Sequence, residues 1–310
     1  MQNRRSFLKQ TGFGAGLLVA GGFPLGALAQ DGGSKLTILH TNDVHSRLDP
    51  FPMDGSRLQG LGGAARRAAY IDTIRKEVPQ LLLLDAGDIF QGTPYFNLYK
   101  GEPEIKAMSM MQYDAATMGN HDFDAGLEGF AKQLPHANFP FLIANYDFSR
   151  TPLDGRTQPY KIFKKGDLTI GIFGLGIQLW GLVPPEAYGK VKYQEPLPIA
   201  QRVSDFLKRK KSCDLVICLS HLGYEYSNDK ISDCVLAKET EHIDLIIGGH
   251  THTFLDKPAI VKNKLGNDVV INQVGWAGVK MGRLDYVFDH KKNAKLANAH
   301  SVILGKETIG

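Results

Sequence analysis

The stretch "IIGGHTHTFL", residues Ile246 to Leu255, carries an apolar run into two glycines and then into His250 and His252, one residue apart. In an extended segment, residues i and i+2 point to the same side. Two imidazoles aimed together from the end of a buried strand are costly to place for packing alone. They need something to hold.

Four further strand-like segments end in a similar way. "TNDVH" supplies Asp43 and His45, "DAGD" supplies Asp88, "GNHD" supplies Asn120, His121 and Asp122, and "LSHLG" supplies His221. In open α/β sheets, sites form beyond the carboxyl ends of the strands, so five ends can converge on one place. Each segment alone also reads as a turn, a helix cap or a satisfied histidine. Five together, in this order and at strand ends, do not read as packing.

Imidazole, carboxylate and amide oxygen, with no thiolate, suit divalent zinc, manganese or iron. The candidates Asp43, His45, Asp88, Asn120, His221, His250 and His252 outnumber the four ligands that one tetrahedral ion takes. Two ions sharing a carboxylate use the surplus. Such a pair, about 4 Å apart, lowers the pKa of a bound water and stabilises in-line displacement at phosphorus.

Along the chain, short apolar runs alternate with helical patterns. Strands are expected at "KLTILHTND", "QLLLLDAGD", "DAATMGNHD", "NFPFLIANY", "CDLVICLSH" and "HIDLIIGGH". Helices are expected at "GGAARRAAYIDTIRKEV", "EPEIKAMSMMQ", "GLEGFAKQL" and "IAQRVSDFLKRKK". Hairpins turn at Lys165–Gly166–Asp167 and Gly266–Asn267, and "KMGRLDYVFD" reads as the last strand. Continuous apolar strands between helices imply sheets covered on both faces, and the hairpins make those sheets mixed, so the class is α/β or α+β.

Residues 1–29 have the pattern of an export signal: Arg4 and Arg5, a short Gly-rich apolar stretch, and "ALA" at Ala27–Leu28–Ala29. The paired arginines indicate a twin-arginine type, which exports folded proteins to the periplasm or beyond. No later run reaches the roughly 18 apolar residues of a membrane span. Without Arg4, Arg5 and Lys9 the net charge falls from +4 to +1, so no nucleic-acid partner is inferred. Cys213, Cys218 and Cys234 show no metal spacing and read as buried thiols rather than a disulfide framework.

The order D-x-H, G-D, G-N-H-[DE], a strand-end His and G-H-x-H resembles the calcineurin-like metallophosphoesterases. "LTILHTNDVH", "GNHDFDAG" and "GGHTH" are similar, more narrowly, to the 5'-nucleotidase family, and the resemblance runs from Leu36 onward. It implies a four-layer α/β/β/α sandwich with two mixed sheets over residues 30–310. It also implies an exported phosphomonoesterase that hydrolyses 5'-nucleotides through a metal-bound hydroxide. Asp43, His45 and His252 would bind one metal, Asn120, His221 and His250 the other, with Asp88 bridging. His121 would act on the phosphate, oriented by Asp124, while Asp122 would support the site or the local structure. Asp85 is balanced between supporting the site and a structural hydrogen bond. Tyr224 and Tyr226 read as solvated loop residues rather than pocket lining.

Family members also carry a C-terminal domain that grips the substrate, and the chain stops at Gly310, so that domain is expected to be absent. A separate specificity subunit could then serve as partner. Cyclic-nucleotide phosphodiesterase or UDP-sugar pyrophosphatase activity on the same site is the alternative reaction. A non-catalytic metal-binding partner subunit is the alternative of another class.

Overall fold

Alternation within the strands divides their side chains between three apolar cores, and that division fixes the architecture. The computed structural model describes residues 33–305, and the expected signal at 1–29 lies outside them. Strands β1 (Lys35–Thr41) and β2 (Leu81–Asp85) lie parallel, with Leu36, Ile38, Leu82 and Leu84 facing one way and Leu39 and Leu83 the other. In β8 (Leu215–Ser220), Leu215, Ile217 and Leu219 likewise oppose Val216 and Cys218. This is the period of two that a strand buried on both faces requires.

The first sheet has five strands, in the order β13, β12, β1, β2, β3. Here β3 is Ala115–Ala116, β12 is Lys280–Phe288 and β13 is Ala294–Ile303. The second has six, in the order β10, β11, β9, β8, β6, β5. They are β5 Tyr160–Lys165, β6 Leu168–Leu175, β9 Leu245–Gly248, β10 Ala259–Lys262 and β11 Asp268–Asn272. Both sheets mix parallel and antiparallel pairs. A further ribbon pairs β4 (Tyr146–Asp147) with β7 (Lys192–Tyr193).

The central core joins the two sheets, Leu84 and Leu284 from one meeting Ile170 and Leu219 from the other. Helices α1 (Ala64–Glu77), α3 (Glu102–Met110) and α4 (Gly126–Gln133) cover the first sheet through Ile71, Ile105 and Phe130. The second sheet is covered by α6 (Pro196–Asp205) and α7 (Asp233–Glu239), through Ile199, Val203 and Leu236. Short helices α2 (Pro94–Tyr99) and α5 (Pro185–Tyr188) complete the chain order. The result is the expected α/β/β/α sandwich. The three cysteines are free and buried, and among the described residues no helix is long and apolar enough to cross a membrane.

Two expectations need correction. "NFPFLIANY" is not a strand: Phe141 and Leu142 form single bridges, and only Tyr146–Asp147 is extended and paired. The segment changes partner as it goes, from Ala116 to Gln158 to Gly174, because it crosses from one sheet to the other. Nor is "KMGRLDYVFD" the last strand, since β13 follows and pairs antiparallel with it. That edge strand is half exposed and reads "AKLANAHSVI", so it lacks the apolar run that marked the others.

The inter-sheet core should dominate stability. Ile170→Ala, at a fully buried site, is expected to cost about 2–5 kcal/mol in denaturant unfolding. Met110→Ala, at an exposed site, should stay within about 0.5 kcal/mol of the parent. Equal costs at the two sites would contradict the packing described.

Candidate metal centre

The carboxyl ends of β1, β2, β3, β8 and β9 open on one side, and the loops leaving them are tied to one another by backbone hydrogen bonds. Asp43 N–H donates to Gly87 O, His45 N–H to Asp88 O and Ser46 N–H to Ile89 O, at 2.8–3.0 Å. Asp122, wholly buried, accepts from the amides of Asp88, Ile89, Phe90 and Gly119 at 2.8–3.1 Å. Burial first, and then Asp88, push its carboxyl up to about 7. Asp122 thus clamps the "DAGD" loop to the "GNHD" loop.

Glycine is required where these loops meet. A Cβ on Gly119 would sit 2.1 Å from Asp88 Oδ1 and 2.6 Å from His221 Cε1. Five of the seven candidate ligands take left-handed backbone: Asp43, His45, Asp88, His250 and His252, with φ from 50° to 73°. Non-glycine residues rarely adopt it, and such strain clusters at functional sites. His250 and His252 therefore do not sit in extended backbone, and the i, i+2 premise drawn from the sequence fails. Their rings go to different neighbours instead.

Donor atoms of Asp43, His45, Asp88 and His252 lie within 4.8 Å of one another, and so do those of Asp88, His221 and His250. In the first group His45 Nε2 is 3.0 Å from His252 Nε2, and His252 Nε2 is 3.4 Å from Asp43 Oδ1. In the second, His221 Nε2 is 3.1 Å from Asp88 Oδ2, while Asn120 Oδ1 is 2.8 Å from His250 Nδ1. Tetrahedral ligands at metal–donor distances near 2.1 Å lie about 3.4 Å apart, so both groups have the right span.

The ring tautomers also fit a cation. His45 Nδ1 lies 3.2 Å from Phe90 O and His221 Nδ1 lies 2.7 Å from Ala86 O. A carbonyl only accepts, so Nδ1 carries a proton and Nε2 is the nitrogen left to face inward. His221 Nε2 is buried and faces the Asp88 carboxylate, with no other partner among the described residues. Burial disfavours its charged form, yet Asp88 and Asp43 raise the imidazole to about 10. The spot attracts positive charge strongly.

His121 stands apart from both groups. Its Nδ1 is 2.8 Å from Asp124 Oδ2, a contact that raises its pKa, and its ring lies 5.3 Å from that of His45. The side chain is 37% exposed, so the ring is reachable from solvent.

Asp85 makes structural bonds, accepting from Thr41 Oγ1 and Gly87 N–H. Tyr226 donates to Leu222 O and Tyr224 is half-buried. Sequence reasoning missed Trp276, whose ring stacks on His252 at 5.8 Å and 12°. A third group, Asp205, Glu241 and His242, already surrounds the Arg209 guanidinium.

The profile of the calcineurin-like phosphoesterases matches residues 36–254, and the chain belongs to that family. Among its relatives, the snake venom 5'-nucleotidase of Crotalus adamanteus is 34% identical over 313 residues, covering 94% of this chain and 52% of that protein. The 5'-nucleotidase of Bos taurus is 35% identical over 292 residues, covering 87% and 49%. The crystal structure of the 5'-nucleotidase precursor from Thermus thermophilus has a TM-score of 0.79 and 33% identity, covering 89% of this chain and 55% of that one. The chain spans about half the length of the curated relatives it matches.

Strained loops presenting converging donors should be stabilised by divalent ions. With manganese or zinc at about 100 times Kd, stability should rise by about 2.7 kcal/mol per site, and excess chelator should remove the gain. A thermal midpoint indifferent to both treatments would argue against any metal at these groups.

Proposed function

We propose that the chain is a dimetal phosphomonoesterase acting on nucleoside 5'-phosphates. The observation that carries this reading is the pair of donor groups sharing Asp88, with the His121–Asp124 pair beside them. Asp43, His45 and His252 would hold one ion, Asn120, His221 and His250 the other, and Asp88 both. Zinc, manganese and iron all suit this donor set. When bound, the pair supplies Lewis acidity and an acidified water for attack on phosphorus.

The chain's own residues do the rest. Asp124 accepts the Nδ1 proton of His121 and so fixes the ring, leaving Nε2 to face the incoming phosphate. Asp124 raises the pKa of His121, which favours the protonated ring. From Nε2 that proton can stabilise the phosphoryl oxygens or pass to the leaving oxygen. Trp276 limits rotation of His252, and Asp122 keeps Asp88 in place.

The choice of nucleoside 5'-phosphates rests on the relatives, whose names give 5'-nucleotidase. Export as a folded protein through a twin-arginine-type signal is supported by Arg4, Arg5 and the "ALA" of residues 27–29.

The test is phosphate release by the purified chain from AMP and from an aryl phosphate, with added metal and with chelator. Metal-dependent release from AMP is expected. Release from the aryl ester alone would assign nucleotide selection to a further domain or a separate subunit. His121→Ala should keep both metals and lose about 10²–10⁴ in turnover. Asp88→Ala should lose metal as well. Loss of metal from the His121 variant would contradict this division of roles.

A further inference from the structure

Behind the loop that carries Asp43 and His45, on the helix side of the first sheet, lies a small chamber lined by Val44, Leu48, Arg67, Asp85, Glu104 and Tyr113, among others. It offers about 10 Å³ for the centre of a water molecule. That is close to the space one ordered water needs. Arg67, Asp85 and Glu104 are all at least 97% buried.

Their polar atoms are unevenly served. Both oxygens of Asp85 are bonded, and Tyr113 Oη is 2.8 Å from Thr41 Oγ1. Among the described residues, Arg67 Nε and Nη1 and both carboxylate oxygens of Glu104 have no well-formed hydrogen bond, and the Ser46 hydroxyl has only the Glu104 carboxylate beside it. Ser46 lies close enough to Glu104 to offset part of the rise that burial causes in its carboxyl. Buried charged groups are strongly disfavoured unless paired or solvated. Donors from Arg67 and acceptors from Glu104, around a space of this size, are what a bridging water requires.

We propose that this chamber is an ordered-water site, and that Arg67 and Glu104 act through it as positioning residues for the metal loop. Ser46, which lies beside Glu104 rather than in the chamber lining, is the link, because it follows His45 directly and shares its left-handed backbone, with φ 53° against 52°. Ser46 is also tied to the "DAGD" loop through Ile89 O, and its own carbonyl accepts from Thr93 Oγ1. The chamber therefore acts on the loop holding Asp43 and His45. Asn120, His221 and His250 come from elements that do not line it. The inference rests on the ligand assignment proposed above, and it predicts an effect on one ion only.

The experiment is calorimetric titration of the full metal-free chain with cobalt(II), alongside a high-resolution crystal structure of the parent. The parent should bind two ions and show a water between Arg67 and Glu104. Glu104→Ala should weaken one ion by about 10–100-fold, the usual effect of losing a group behind a ligand, and leave the other unchanged. Glu104→Gln, which still meets the water, should recover most of that loss. Should the alanine variant fail to fold, Arg67→Lys takes its place and should show the same one-ion effect. Unchanged affinity at both ions in a folded variant would overturn the proposal, whatever its thermal stability, and so would a chamber without water. If the parent binds no ion, the metal assignment falls, and the water density alone decides whether the chamber is a water site.

Discussion

The site depends on the mutual fastening of three loops. The segment Asp43–Ser46 lies along Gly87–Ile89 through three backbone hydrogen bonds, and Asp122 draws Asp88, Ile89 and Phe90 onto Gly119. Once these are fixed, Asp88 has one place to point. Its Oδ1 accepts from His121 N–H while Oδ2 faces His221. The rest of the molecule serves to bring the other strand ends to that carboxylate.

This arrangement is unfavourable in isolation. It gathers carboxylates and inward-facing imidazole nitrogens in a largely dry place and holds several of them in disfavoured backbone. Two features offset the cost. Amide donors from Gly119, Asp88 and His250 are directed at the carboxylates of Asp122 and Asp43, which spreads the negative charge. Divalent cations would supply the remaining compensation, since both donor groups have the span and tautomers to take them. The three apolar cores supply the rigidity that keeps such a strained cluster from relaxing.

Much of this was legible in the sequence. Apolar runs ending in Asp, Asn or His mark strand ends, and their order matched one family's pattern. The α/β class followed from continuous apolar strands, because a strand covered on both faces reads as "LLLLD" or "LVICLS", while the two-sheet sandwich came from the family resemblance. What was hidden has physical causes. Strand β13 is polar because it is an edge, and residues 138–146 look like a strand because each apolar side chain enters a core while the backbone changes partners. The left-handed turns at His250 and His252 cannot be read from residue type, since neither is glycine. The sequence marks Asp122 as a support, but the amides it collects from Asp88, Ile89 and Phe90 lie 32 to 34 residues away, and no local spacing reveals those contacts.

The central claim is that two cations share Asp88. Anomalous diffraction from crystals of the manganese-loaded chain tests it most directly. Two peaks about 4 Å apart are expected. One should lie among Asp43, His45 and His252 and the other among Asn120, His221 and His250, with Asp88 touching both. A single peak, or two peaks that do not share Asp88, would contradict the account.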